Sequence, residues 1–536
     1  MPWIPLPIIP NEEPTMRIKH LITLIGCLGA LQGFAAGSQR PNILLILVDD
    51  MGYSDVGCYG SEIQTPNIDA LAGSGLRFTQ MYNTSKCHPS RACLLTGVYA
   101  QQSGMAVKNA KIRNAVTLGE VLRPAGYRTY ASGKHHGTEN LFDRGFDHYY
   151  GLRDGSSNMW NPGLQREGEP VPGSKGVTRY WCDDATTHAP YTPEDRNFHV
   201  TDAFTNKALE WLEEKELQDQ PFFLYLAYTA PHYPLHAWPE DIAKQKGNYD
   251  AGYEAIREAR YGKQVAMGLF DSNITPLPEW KGGNWDRLDD LEREKEKRRM
   301  EIYAAMVGHV DRSVGKVIAK LKAQGKYENT LILFASDNGG CAEVSGRKVG
   351  STQLEDFGTI ASFETVGESW ATVQNTPLRE HKNSSYEGGI RTPFLVSWPQ
   401  AIPKEFRGTL YHSPAHFIDI MPTLVELSGA QYPETFHNSA IVPMQGVSLL
   451  PALSGQRIGR TRPLFWHWRN GGAIRTGDIK AVFQGKQWQL FDLSQDHNES
   501  KNLAQKQPEL LSTMKAQWKQ WLDGVANNQG NDTSNH

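Results

Sequence analysis

A chain of 536 residues is too long for one small core and predicts a large unit with a smaller companion. Hydrophobic residues at 39% and aromatics at 10% describe an ordinary globular protein rather than a membrane-embedded or disordered one. A formal net charge of -4 excludes a general nucleic-acid binder, which needs a basic face, so any anion site has to be a local cluster.

Residues 1–15 are proline-rich, whereas Met16, Arg17 and Lys19 precede an apolar run from Leu21 that ends in Ala35 and Ala36. This is the pattern of a secretory signal peptide, so residues 1–36 are expected to be leader and the mature protein periplasmic or secreted. Leu24-Ile25-Gly26-Cys27 offers a lipoprotein anchor instead, but the apolar run continues past Cys27 and favours simple export. No later stretch is long and apolar enough to span a bilayer. Beyond the leader lie Cys58, Cys87, Cys93, Cys182 and Cys341, with no zinc spacing and no pairing that the sequence assigns.

The apolar run 42–48 reads as a strand buried on both faces, and it ends in Asp49-Asp50, where open α/β sheets hold their ligands. Two adjacent carboxylates need a cation or basic side chains to offset their repulsion. A helix follows over 65–72. Pro89 suits the first position of a further helix and Gly97 its stop, which puts Cys87 at a helix N-terminus that favours a thiolate or a bound oxyanion. Arg91, one turn on, faces the same side. After a short helix at 117–122, a strand at 127–131 leads into Ser132-Gly133-Lys134-His135-His136.

Residues 151–197 read as long loops around a pocket, in which Trp160, Trp181 and Tyr191 either stack on a ring-shaped substrate or anchor the loops. A helix over 201–217 and a buried strand at 222–227 lead to Pro231-His232-Tyr233-Pro234. The charged run 289–299 is the solvated start of a helix whose apolar residues continue to Leu321, with His309 and Asp311 structural. A strand at 330–336 ends in Asp337-Asn338-Gly339, and a polar loop insertion occupies 341–376. Lys382 then precedes Tyr386-Glu387-Gly388-Gly389 and a strand at 394–398, followed by a helix at 414–429.

Composition shifts toward Pro, Gly and Ser at 435–462. Short strands at 464–468, 472–476, 479–484 and 488–492 and a helix over 508–522 complete the chain, with a disordered tail from about 527. The expected fold is α/β: a large domain over 40–440 with a mostly parallel mixed sheet flanked by helices, a small α+β domain over 460–525 with an antiparallel sheet and one helix, and a tail over 526–536.

Cys87-x-Pro89-Ser90-Arg91 followed by Leu94-Leu95-Thr96-Gly97 resembles the signature of the type I sulfatases of the alkaline phosphatase superfamily. Gly133-Lys134-x-His136, Pro231-His232-x-Pro234, Asp337-Asn338-Gly339, Lys382 ahead of Tyr386-Glu387-Gly388-Gly389, and the closing Phe491-Asp492-Leu493 match further family segments in the same order. The resemblance implies an alkaline phosphatase-like fold and an exported hydrolase of sulfate esters, whether of sulfated carbohydrate or aryl sulfate. In such enzymes a maturation enzyme oxidises the cysteine, here Cys87, to formylglycine, whose hydrate is the nucleophile.

It further implies a metal site made by Asp49, Asp50, Asp337 and Asn338 with residue 87. These oxygen donors suit calcium, or magnesium, and not zinc, and a soft thiolate is the wrong partner for a hard cation. Arg91 would then hold the hydrate together with the cation, and Lys134 and Lys382 would neutralise the sulfuryl oxygens with it. His232 would protonate the leaving alcohol, with or without Lys382, and His136 would take the proton that expels sulfate. The residues also leave open a phosphodiester or phosphonate ester hydrolase on the same scaffold, and an inactive sulfated-glycan binding protein with Cys87 unmodified.

Overall fold

The computed structural model describes residues 40–530, with side chains as far as residue 525. The expected leader, with Cys27, and the last residues of the expected tail lie outside the described residues. Asn42–Val48 forms β1, and its side chains divide strictly between two apolar layers. Ile43, Leu45 and Leu47 belong to one layer, Leu44, Ile46 and Val48 to the other. A strand covered on both faces has no polar side to show, hence its unbroken apolar sequence.

The other strands of the main sheet are Leu76–Tyr82 (β2), Arg128–Gly133 (β3), His148–Leu152 (β4), Trp181–Asp183 (β5), Thr186–His188 (β6), Phe222–Ala227 (β7), Thr330–Ser336 (β8), Arg391–Ser397 (β9), Thr409–Tyr411 (β10) and Ala415–His416 (β11). Their order is β10-β2-β9-β8-β1-β7-β3-β4-β5-β6, with β11 also paired to β2. β9 runs antiparallel to β2 and β8, and the β4-β5-β6 edge is antiparallel; the remaining pairs are parallel. β1 lies between β7 and β8, so their C-terminal ends open onto one rim.

The helix Asp290–Ala323 spans 34 residues, begins where the Asp289 side chain accepts from the Glu292 N–H at 2.8 Å, and buries Ile302, Met306, Val310, Val314 and Leu321. Asp311 on that helix accepts from the N–H groups of Asn67 and Ile68, the exposed donors at the start of Pro66–Ser74, which is the structural role expected of it.

Several elements differ from the sequence reading. The stretch 151–197 expected to be loop holds the end of β4 and all of β5 and β6, the last two of three residues each and too short for a periodic signal. The helix expected over 201–217 is Val200–Trp211 followed by a separate 3-10 turn, and that expected over 414–429 is Ile420–Ser428, because Ala415 and His416 pair with β2 instead. Glu368–Gln374 is helical inside the expected loop insertion.

Residues Thr435–Phe436 (β12) and Ser439–Ala440 (β13) form a small ribbon, and Leu464–Trp468 (β14), Gly471–Thr476 (β15), Ile479–Gln484 (β16) and Gln487–Asp492 (β17) form a separate antiparallel sheet. One face of it, with Trp466, Ala473, Val482 and Phe491, joins an apolar layer of the main sheet. The other, with Ile474, Ala481 and Leu490, packs on Met514 of the helix Pro508–Gly530, which continues past the expected end at 522. Among the described residues no helix is long and apolar enough to cross a membrane, and the described cysteines are all free.

Candidate active site

β1, β3, β7 and β8 each lead into a charged or polar residue of the site at the common rim. Asp49 and Asp50 follow β1, and Asp50 takes a positive φ of 64°, a conformation that Asp tolerates better than most residues. Lys134 follows β3. Gly133 before it has φ 128°, and a Cβ there would stand 1.9 Å from the Ala227 carbonyl of β7, so only glycine lets the two strand ends close together. Asp337 and Asn338 follow β8, and His232 sits in the turn beyond β7. Cys87 opens the helix Cys87–Thr96, with Lys86 as its N-cap. Pro89 is thus the third helical residue, not the first as expected, and Gly97 ends the helix in the left-handed conformation as expected.

The ten expected site residues come together, nine of them buried and His136 half-buried. Lys134 Nζ is paired with Asp49 Oδ2, and Lys382 Nζ lies 2.5 Å from Asp50 Oδ1. Asn338 Nδ2 donates to the same Asp50 oxygen at 2.7 Å. Arg91 Nε donates to Asp337 Oδ2 at 2.8 Å, and its Nη1 donates to the Lys134 carbonyl at 2.7 Å. His232 Nε2 lies 3.4 Å from Asp50 Oδ2, while its Nδ1 meets the Tyr233 carbonyl. The His136 ring sits 5.3 Å from that of His88, the residue after Cys87.

Burial opposes every charge here, and the partners decide the outcome. It works against the Asp49 and Asp50 carboxylates, but Lys134 on Asp49, and His232 with Lys382 on Asp50, hold both below the usual range. Asp337 goes the other way: burial and the neighbouring Asp49 carboxylate raise it to about 7 despite Arg91. Burial lowers His232 to about 4, and burial with the nearby Lys134 holds His136 well below its ordinary value, so both rings are neutral. Lys382 keeps its proton because Asp50 outweighs the cost of burial. For Cys87, burial pushes the thiol up, and Lys134 and Lys382 do not reverse it. Of the two outcomes the sequence left open at this helix N-terminus, a thiolate or a bound oxyanion, the raised thiol disfavours the first.

Three buried oxygens in the cluster have no hydrogen-bond partner: Asp49 Oδ1, Asp50 Oδ2 and Asn338 Oδ1. Orphaned acceptors of this kind are costly unless something else satisfies them, and an all-oxygen set suits a hard divalent cation such as calcium or magnesium. One ligand atom from each of Asp49, Asp50, Cys87 and His232 also fall within 4.8 Å of one another. A sulfur and a nitrogen in that group would draw a borderline metal, and replacing the sulfur by oxygen at position 87 restores the hard-cation preference.

Sequence reasoning missed the support around this cluster. Glu343 accepts from Lys86 Nζ at 3.3 Å, Tyr233 OH at 2.6 Å and Asn383 Nδ2 at 3.1 Å, and these are the chain neighbours of Cys87, His232 and Lys382. Tyr303 OH bridges the Asp50 carbonyl and Asp55 Oδ2 from the long helix. Neither carries a local signal, because their partners are far away in sequence. The loop aromatics prove to be anchors: Trp181 is fully buried and stacks on Tyr191 and Phe204, and Trp160 Nε1 donates to the Gly358 carbonyl at 3.0 Å. His236, bonded to Met159 N and the Ser362 carbonyl, lies outside the cluster.

A mostly parallel sheet whose rim gathers carboxylates, an asparagine and a lysine from its strand ends, with an arginine and a buried cysteine from a helix and a second lysine from a loop, defines an ester hydrolase of the alkaline phosphatase superfamily, here a sulfuric ester hydrolase. The chain belongs to the sulfatase family, whose profile matches residues 41–430. A second profile, described as N-sulphoglucosamine sulphohydrolase, C-terminal, matches residues 381–526. Among relatives, an uncharacterised sulfatase of Schizosaccharomyces pombe is 33% identical over 90% of this chain and 93% of its own. An arylsulfatase of Klebsiella aerogenes is 32% identical over 81% and 96%. The crystal structure of Ps i-CgsB in complex with k-i-k-neocarrahexaose is 29% identical, with a TM-score of 0.64 over 90% of this chain and 93% of that one.

Proposed function

We propose that the protein is an exported sulfatase that removes sulfate from saccharides, using formylglycine made from Cys87 by a maturation enzyme and a calcium ion held by Asp49, Asp50, Asp337 and Asn338. The observation that carries this reading is the trio of orphaned oxygens beside a protonated cysteine, enclosed by Arg91, Lys134 and Lys382. The neocarrahexaose complex of a similar protein supports a saccharide substrate. Residues 40–440 would carry the chemistry and residues 460–525 buttress it through the shared apolar layer.

The cation would supply Lewis-acid stabilisation of negative charge. Formylglycine would supply, as its hydrate, an oxygen nucleophile where the thiol is inert and mismatched to the cation. Arg91, Lys134 and Lys382 present fixed positive charge to the sulfuryl oxygens, and in a site closed to water such preorganised charge is worth more than in solution. His232 donates its Nδ1 proton to the Tyr233 carbonyl, so Nε2 of the neutral ring is an acceptor. Donation from Nε2 to the leaving oxygen as the S–O bond breaks therefore needs the imidazolium, which the negative charge of a bound ester favours. Lys382, kept protonated by Asp50, is the second donor at the same place. His136, neutral and with Nδ1 unpartnered, would serve as the proton acceptor beside residue 87.

Turnover of matched aryl sulfate and aryl phosphate esters by the wild type and by Cys87→Ala tests the proposal. Sulfate hydrolysis that prevails over phosphate and is lost in the variant is expected. Preferential phosphate hydrolysis, or an unchanged rate in Cys87→Ala, contradicts it.

A further inference from the structure

A second concentration of positive charge lies on the open edge of the main sheet. Between β10, the segment that follows the 3-10 turn Leu450–Ser454, and the β15–β16 hairpin is a cavity of about 610 Å³. Four arginines line it, Arg457, Arg460, Arg462 and Arg475, and Asp478 is its one acidic lining residue. In a chain of net charge -4 this is a pronounced local excess.

Two of the arginines belong to the structure but keep a nitrogen without a hydrogen bond. Arg475 is 2% exposed; its Nε donates to the Gly477 carbonyl at 2.7 Å and its Nη1 to Tyr82 OH. Its Nη2 makes no hydrogen bond and is ion-paired only with the exposed Asp478 at 3.5 Å among the described residues. Arg460 pairs with Asp419 through Nη2, while its Nε is buried and unpartnered. Arg457 and Arg462 are exposed and have no ion pair or side-chain hydrogen bond among the described residues.

A guanidinium with free donors recognises a planar or tetrahedral oxyanion by paired N–H bonds, which an ammonium group does not do. The Nη2 of buried Arg475 and the Nε of half-buried Arg460 make no hydrogen bond within the fold, so both can donate to an acceptor that enters the cavity. The cavity is far larger than one ion and falls in the range that holds a small organic ligand of a few rings. It is a single walled recess, not a basic stripe, which suits a short anionic segment and not a nucleic-acid backbone.

We propose that this cavity binds a sulfated segment of a saccharide chain, at a place distinct from the Asp49–Asp337 cluster, and so gives the enzyme a preference for chains over small esters. The inference rests on the reading that the substrate is a sulfated saccharide. Holding a chain at two places makes its second engagement intramolecular, which raises apparent affinity without any change at the reacting group.

The test uses the full chain carrying Cys87→Ala, which removes turnover, with and without Arg457→Ala and Arg462→Ala, two surface changes that leave the packed arginines in place. Calorimetry is run with a sulfated galactan hexasaccharide, its desulfated counterpart and inorganic sulfate. The expected result is a second hexasaccharide site that weakens about tenfold or more in the double variant, with no second site for the desulfated sugar. In the otherwise wild-type enzyme the same two changes should raise KM for the polymer and leave turnover of a small aryl sulfate unchanged.

Identical isotherms with and without the arginines overturn the proposal, as does equal binding of the desulfated sugar or saturation by inorganic sulfate alone. If no sulfate ester is turned over by any form, the catalytic reading fails, and the calorimetric comparison still decides this one.

Discussion

At the scale of single residues, the site depends on opposed charges buried at close range and matched one to one. Lys382 shows the consequence most directly. It is a point charge 2.5 Å from Asp50, with no bidentate geometry for arginine to reproduce. Lys382→Ala should lower kcat/KM for an aryl sulfate by about a hundredfold or more, and Lys382→Arg should not restore it, as steady-state kinetics would show. An unaltered rate in either variant would remove Lys382 from the proposed machinery.

The orphaned oxygens of Asp49, Asp50 and Asn338 make a separate claim about the cation. Added calcium should raise the thermal midpoint and a chelator lower it, because a ligand that binds only the folded state stabilises it. In Asn338→Ala the response should shrink or vanish in the same thermal scans; a full response there would place the ion elsewhere. The residues of the site were legible in the sequence because each lies in a short segment next to a strand end or helix start. The burial of Cys87 was not, since a local motif does not show the packing that pushes its thiol up.

At the scale of elements, the sheet is held by strands that bury both faces, and β1 is the clearest of them. Leu45→Ala removes a fully buried side chain between two packed layers and should cost about 2–5 kcal/mol, read as a lower midpoint in chemical denaturation. A change below about 1 kcal/mol would mean that the layer relaxes to fill the space.

β1, β7 and β8 announced themselves as unbroken apolar runs, whereas β4, β5 and β6 did not. Their pairing is settled by the strand beside them and by Trp181, buried against Phe204, which are long-range contacts that a window of a few residues does not contain. For the same reason the helix at Pro414 was misread: Ala415 and His416 have helical neighbours in sequence but a strand neighbour, β2, in space.

At the scale of the whole molecule, the C-terminal sheet is tied to the catalytic part by a buried polar junction. Lys480 Nζ lies 2.8 Å from both Glu387 and Glu499, and Tyr82 OH donates to Glu387 at 2.7 Å. Glu387, buried but facing Lys480, Arg391 and Arg475, is held at about 2, so burial and the Glu387 charge push Glu499 up to about 7 despite Lys480. A raised carboxyl pKa adds stability that is complete below the unfolded value of about 4.5 and is lost as pH rises through about 7. The wild type should therefore lose thermal stability between about pH 4.5 and 7, and Glu499→Gln should flatten that part of the profile; parallel profiles would refute the assignment.

The C-terminal antiparallel strands were legible as short apolar segments between turn signals, but the ion cluster that joins their sheet to the rest was not, because Glu387 and Glu499 are separated by more than a hundred residues.

The central claim is that a hard-cation site and an oxidised side chain at position 87 act together on a sulfate ester. Mass spectrometry of the peptide spanning residues 87–91, taken from protein matured in a host that carries the oxidising enzyme and shown to hydrolyse an aryl sulfate, tests it most directly. The account predicts the mass of the aldehyde in place of the thiol, in proportion to the specific activity of the preparation. A fully active preparation whose residue 87 is intact cysteine would contradict it.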